Sequence, residues 1–71
     1  MGQKLMTAGD YIHARRRELA ITKGQVARML GLTDGQWRDI ERGGVRPSEE
    51  TISAIARVLR IDASTLRRRY A

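Results

Sequence analysis

Cysteine and phenylalanine are absent from this 71-residue chain, and histidine and proline occur once each. Without cysteine it can form neither a disulfide nor a thiolate metal site. His13 alone cannot anchor zinc, and it reads as a solvated helix position. No paired acids share a recognisable cleft with a nucleophile, so an enzyme is the least supported class and no cofactor or metal is expected. With one Trp, two Tyr and no Phe, the core has to be largely aliphatic. No apolar run approaches the roughly 18 residues of a membrane span. Residues 1–12 lack the apolar stretch of a signal peptide, and Met6 stands where a myristoylation signal needs Ser or Thr. The expected location is the cytoplasm, with no membrane partner.

Positive charge is what the chain has in excess. Fourteen Lys and Arg against eight Asp and Glu give a net charge of +6 and a pI near 11.1. Lys4 and Lys23 are the only lysines, so the other cations are all Arg. Arg offers a planar fork that matches phosphate and guanine edges. A small basic domain attracts polyanions, yet an ordinary solvated surface uses the same charge, so composition leaves both readings open. A content of 41% apolar and 31% charged residues suits a folded globule. The length fits one domain, residues 1–71, and so short a chain buries only roughly 60% of its unfolded surface. Residues 1–6 are expected to be flexible.

Helix starts are legible. Thr22 opens Thr-Lys-Gly-Gln, a capping box closed by Gln25, and Ile21 is set to staple onto Val26. Thr33 opens Thr-Asp-Gly-Gln, closed by Gln36, and Leu32 faces Trp37 in the same way. Ser48 precedes Glu49 and Glu50, whose charges suit a helix N-terminus. Asp62 caps a last short helix, with Ile61 meeting Leu66, and Thr7 with Asp10 forms a possible first box. Ile52, Ile55, Ala56 and Leu59 follow the i, i+3, i+4, i+7 stripe of an amphipathic helix. Ile12, Arg16 and Leu19 share one face; so do Val26, Ala27 and Leu30, and so do Trp37, Ile40 and Glu41. Gly31 and Gly43-Gly44 supply left-handed helix ends. The fold class is all-α, with helices over about 8–20, 23–30, 34–42, 49–59 and 63–69.

The second and third helices, joined by Gly31-Leu32-Thr33, have the content of a helix-turn-helix over about residues 22–42. Ala27, four residues before the glycine, is small enough to let the two cross closely. At 100° per residue, Trp37, Ile40 and Glu41 face inward on the third helix. The opposite face carries Gly35, Asp39 and Arg42, with Arg38 beside them and Gln36 on the other flank. If this helix reads DNA, Arg38 suits a guanine edge and Gln36 an adenine, though both also read as solvated side chains. Thr22, Lys23 and the N–H groups opening the second helix form an anion site.

The run from Thr22 to Thr33, the segment Trp37-Arg38-Asp39-Ile40-Glu41-Arg42-Gly43, and Arg46-Pro47-Ser48-Glu49-Glu50-Thr51-Ile52 together resemble the Cro/lambda-repressor (Xre-like) DNA-binding domains. Ile55-Ala56, Leu59, Ile61 and Leu66 extend the likeness over about residues 12–67. The resemblance implies a compact five-helix bundle that lays its third helix in the major groove of double-stranded DNA. It implies a sequence-specific transcriptional regulator, a repressor of phage, mobile-element or toxin-antitoxin type, working at the bacterial or phage nucleoid. It places Thr22, Lys23, Thr33, Arg42 and Arg46 on the phosphate backbone. It also pairs Arg16 with Glu41, two charges that fall on apolar faces where a lone ion is costly.

This chain departs from that pattern in chemistry. The family's usual base-reading positions hold Asp34, Gly35 and Asp39. A carboxylate can accept from cytosine N4 but faces phosphates unfavourably. Asp34 can pair with Arg38 at i, i+4, and Gly35 lets the backbone approach DNA closely. These acids support a second reading, a protein-interaction module such as an antirepressor or antiactivator with a protein partner. Arg67-Arg68-Arg69 reads as a solvated helix end. Leu66, Tyr70 and Val58 offer only a small surface for a homodimer, so a weak homodimer is expected, and formation only on DNA is left open.

Overall fold

Small polar side chains decide where each helix begins. In the computed structural model, which describes residues 7–70, the helices are α1 (Ala8–Glu18), α2 (Lys23–Met29), α3 (Asp34–Arg42), α4 (Glu49–Leu59) and α5 (Ala63–Arg68). Thr7, Thr22, Thr33, Ser48 and Asp62 each accept the backbone N–H three residues on. In α1, α2 and α3 the side chain of that third residue (Asp10, Gln25, Gln36) accepts in return from the cap N–H, completing the box. The expectation for residues 1–6 lies outside the described residues.

The helix ends follow one plan. After α1, α2 and α4 the chain turns through a left-handed residue, then an apolar one, then the next cap: Ala20-Ile21-Thr22, Gly31-Leu32-Thr33 and Arg60-Ile61-Asp62. Ile21, Leu32 and Ile61 donate their N–H to Arg16, Ala27 and Ala56, five residues back, at 3.1, 2.8 and 3.0 Å. Each apolar residue packs on the core, so one side chain closes the helix behind it and staples the helix ahead. Gly43 ends α3 at φ 83, and Gly44 donates to Asp39 O at 2.9 Å. Helix α1 stops two residues before the expected end, because Ala20 takes the left-handed conformation (φ 57). Helices α2 and α5 each end one residue early.

The core forms around Trp37, fully buried between Ile12, Val26, Ile52, Ile55, Leu59 and Leu66. Helix α3 is held from both sides, by α2 and by α1, while α4 packs on α5 and α1. Ala27 is buried at the α2–α3 crossing, as its size requires. Gly9 makes the α1–α3 crossing possible: a Cβ there would run into the carbonyl oxygen of Glu41.

Leu66 is 0% exposed and belongs to this core. It is therefore unavailable to the dimer surface expected of it, and Tyr70 and Val58 also pack inward. The exposed large apolar side chains among the described residues are Met29 and Val45. None of the described helices is long and apolar enough to cross a membrane.

Candidate nucleic-acid interface

Burial of Trp37 and Ile40 turns the opposite face of α3 outward. Asp34, Gln36, Arg38, Asp39 and Arg42 are all exposed there, with Gly35 half-buried among them. The set singled out in the sequence thus shares one continuous surface. Asp34 lies on the α2 flank, its Oδ1 4.0 Å from where a Gly24 Cβ would sit. Gln36 and Asp39 lie on the other flank, lining a groove of about 280 Å³ with Val45, Pro47 and Thr51. Arg38 reaches toward Gly35, its Nη2 3.8 Å from where a Gly35 Cβ would sit.

Two details change the chemistry expected of this face. The side-chain oxygen of Gln36 accepts from Thr33 N at 2.9 Å. A bidentate grip on adenine needs both ends of the amide, and one is already engaged. The Asp34–Arg38 ion pair does not form among the described residues, whose ion pairs lie elsewhere. Among those residues Arg38 has no ion-pair partner, and it stands exposed on this face.

The phosphate candidates flank α3. Thr22 and Lys23 open α2 and Thr33 opens α3, all exposed; the two threonine hydroxyls accept from the backbone N–H groups of Gln25 and Gln36, each at 3.1 Å. Arg28, which the sequence reading passed over, adds a cation here, its Nη2 3.9 Å from the Gly24 Cβ position. It stands four residues after Gly24, one turn along the same face, and that spacing was the available signal. On the far side Arg42 and Arg46 border a cavity of about 390 Å³ with Thr7, Gly44 and Tyr70. Arg46 reaches only to 3.9 Å from Glu49, an exposed and weak pair.

What fixes α3 in place is a buried polar cluster beneath it. Glu41 accepts from Arg16 Nε at 2.7 Å and from Trp37 Nε1 at 2.7 Å, both at Oε2. Its Oε1 lies 2.9 Å from His13 Nδ1. The Arg16 and Glu41 side chains are 8% and 6% exposed, and Arg16 also donates to Ile21 O at 2.7 Å. The expected structural pair is therefore present. His13, its side chain 41% exposed, keeps a solvated position and also holds Glu41: facing a carboxylate at that distance, Nδ1 has to carry the proton and donate. The 3.2 Å approach of Arg16 Nη2 to the same nitrogen is then a contact between two donors. The position three residues before Arg16 on α1 was the sequence signal for this role. Burial alone would raise the Glu41 pKa, but the hydrogen bonds from Arg16, His13 and Trp37, with the Arg16 charge, outweigh it and hold the carboxyl below its ordinary value.

Other arginines serve the fold. Arg15 donates to Leu59 O at 2.9 Å, satisfying the end of α4. Arg67 pairs with Glu49 at 2.7 Å, and Arg69 stacks 4.4 Å over the Tyr11 ring. The C-terminal arginine run is exposed, as a solvated helix end should be, and Arg67 and Arg69 also have partners on the surface. No cluster of His, Asp or Glu among the described residues is placed to hold a metal ion.

Residues 7–69 match the family model described as a helix-turn-helix domain. The chain is 38% identical over 61 residues to the immunity repressor protein of Bacillus phage phi105, covering 86% of this chain and 42% of that protein. It is 33% identical over 66 residues to the ImmF control region 10 kDa protein of the same phage, covering 93% and 70%. An uncharacterized HTH-type transcriptional regulator of Mycobacterium tuberculosis is 31% identical over 58 residues, covering 82% and 41%. The chain thus spans about two fifths of the length of the phage repressor and of the mycobacterial protein. No solved structure matches it.

Proposed function

The chain belongs to the Cro/lambda-repressor-like helix-turn-helix family, and we propose that it is a sequence-specific transcriptional regulator that lays α3 in the major groove of double-stranded DNA. A repressor of phage or mobile-element type is favoured by its likeness to a protein named as a phage immunity repressor. In this reading the protein works in the cytoplasm, where the DNA is. The observation that carries it is the outer face of α3. Arg38 and Arg42 stand exposed on a helix whose inner face is clamped by Trp37, Ile40 and the Glu41 cluster. A rigid helix presenting unneutralised arginines, flanked by Lys23, Arg28 and Arg46, supplies base edges and phosphates with partners at once.

Arg38 is assigned to a guanine and Asp39 to a cytosine N4. Gln36 acts chiefly by closing the capping box of α3 on Thr33, with its amide N–H₂ still able to donate. Thr22, Lys23, Thr33, Arg42 and Arg46 take phosphates. One short helix contacts too few base pairs to select a site, so two copies bind a two-fold operator with half-sites about 34–36 Å apart. With Leu66 inside the core, that pairing forms on DNA through a small interface.

The test is selection from a random duplex library with the purified chain, followed by binding to the winning and scrambled duplexes. Enrichment of a two-fold sequence is the expected result. If no sequence is enriched, the reading fails and a protein partner for the acid-bearing face of α3 takes its place.

A further inference from the structure

Gly35 has no reason to be glycine inside the fold. Its φ is not among the positive values, which at glycine occur at Gly31 and Gly43. A Cβ built on it would meet Arg38 Nη2 at 3.8 Å and Thr33 Oγ1 at 4.0 Å, ordinary van der Waals contacts that ask neither group to move. Contrast Gly9, where the same atom would strike the Glu41 backbone. A glycine within a helix weakens it relative to alanine, so Gly35 costs stability that no internal contact requires.

Its position supplies the reason. Gly35 stands opposite the buried Trp37 and Ile40, at the centre of the exposed face, one turn before Arg38 and Asp39. We infer that Gly35 is a positioning residue for base reading: its missing side chain lets the α3 backbone seat against the floor of the major groove. The guanidinium of Arg38, lying across the gap, is thereby brought level with a guanine edge. With a Cβ in the gap the helix rides higher and Arg38 reaches the phosphates or solvent instead. This inference rests on the DNA-binding reading and adds to it the residue that sets the depth of the helix.

The test exploits the opposite signs of the two effects. Gly35→Ala should raise Tm by about 2–6 °C, because alanine favours the helix. It should weaken binding to the selected duplex about tenfold or more, the scale of one lost bidentate base contact, and leave scrambled DNA nearly unaffected. Combined with Arg38→Ala it should cost little beyond Arg38→Ala alone, since both remove the same contact. A purely structural glycine would lower Tm and weaken both duplexes alike, which overturns the inference. So does a stabilised variant with undiminished specific affinity, or losses that add in full. A wild-type chain that prefers no duplex sinks the DNA reading itself, and this inference with it.

Discussion

The guanidinium of Arg16 on α1 meets the carboxylate of Glu41 on α3 at 2.7 Å with both side chains almost fully buried. The same carboxylate accepts hydrogen bonds from Trp37 and His13, so it joins the helix that faces outward to the helix behind it. Glu41→Gln keeps the shape and removes the charge, leaving Arg16 buried without compensation. The expected cost is about 3–5 kcal/mol, seen as a lower urea midpoint at unchanged slope. Replacing Arg16 and Glu41 together by methionine should recover part of that loss, because no isolated ion is then left inside. The same pair gives a pH dependence of definite sign. The folded pKa of Glu41 is held below its ordinary value of 4.5. Its contribution is therefore complete above that value and is lost as pH falls through the folded pKa. Acid should lower the Tm of the wild type more steeply than that of Glu41→Gln below about pH 4.5. Parallel curves would remove Glu41 from the account.

Gly9→Ala should be disruptive out of proportion to one methyl group. The obstacle is the Glu41 carbonyl, which cannot rotate aside, so α1 and α3 have to separate. A loss toward the upper end of the usual overpacking cost, about 3 kcal/mol, is expected in thermal or urea melts. An unchanged melt means that the two helices cross elsewhere.

Tyr70 presents the reverse case. Its hydroxyl is buried without a hydrogen-bond partner among the described residues. Burial pushes its pKa up, and the nearby Arg46 charge only partly opposes this. Tyr70→Phe removes the stranded group at nearly constant shape, and a gain of about 1 kcal/mol is expected. A drop in Tm would reveal a partner for the hydroxyl.

Ala20 and Arg60 hold left-handed backbone at φ 57 and 58, a conformation that penalises a Cβ by roughly 1–2 kcal/mol. Glycine lowers that cost but gives back about 0.4–1 kcal/mol through the unfolded chain. Ala20→Gly should therefore stabilise by about 0.5–1 kcal/mol, a few degrees in Tm. A destabilised variant would show that the methyl of Ala20 packs usefully.

Those two positions mark the boundary of what local sequence reveals. The α2–α3 unit was legible because its signals are local: Thr22 with Gln25, Thr33 with Gln36, and glycines at Gly31 and Gly43. The end of α1 was not, since nothing near Ala20 marks it as left-handed; the turn is imposed by Ile21 packing on the core. Gly9 and Arg15 owe their roles to α3 and α4, which lie far along the chain. The contact of His13 with Glu41 and the burial of Leu66 were hidden for the same reason. On the outer face of α3 the helical period was enough to foresee which side chains are exposed. It did not reveal that Gln36 spends its oxygen on the cap, or that Asp34 forms no ion pair with Arg38.

The phosphate assignments make the last prediction. Lys23, Arg42 and Arg46 are exposed, and the weak contact of Arg46 with Glu49 breaks at little cost. On its selected duplex the protein should lose affinity steeply with salt, with a log–log slope of about −0.9 for each phosphate neutralised. Lys23→Ala should flatten that slope by about one contact and weaken selected and scrambled duplexes equally. Arg38→Ala should behave differently, losing about 1–3 kcal/mol on the selected duplex, little on the scrambled one, and leaving the slope unchanged. Fluorescence anisotropy at four or five salt concentrations separates the two patterns. A slope near zero would take Lys23, Arg42 and Arg46 off the DNA backbone. A slope that falls with Arg38→Ala would move Arg38 from the base edges to a phosphate, and another residue on α3 would have to do the reading.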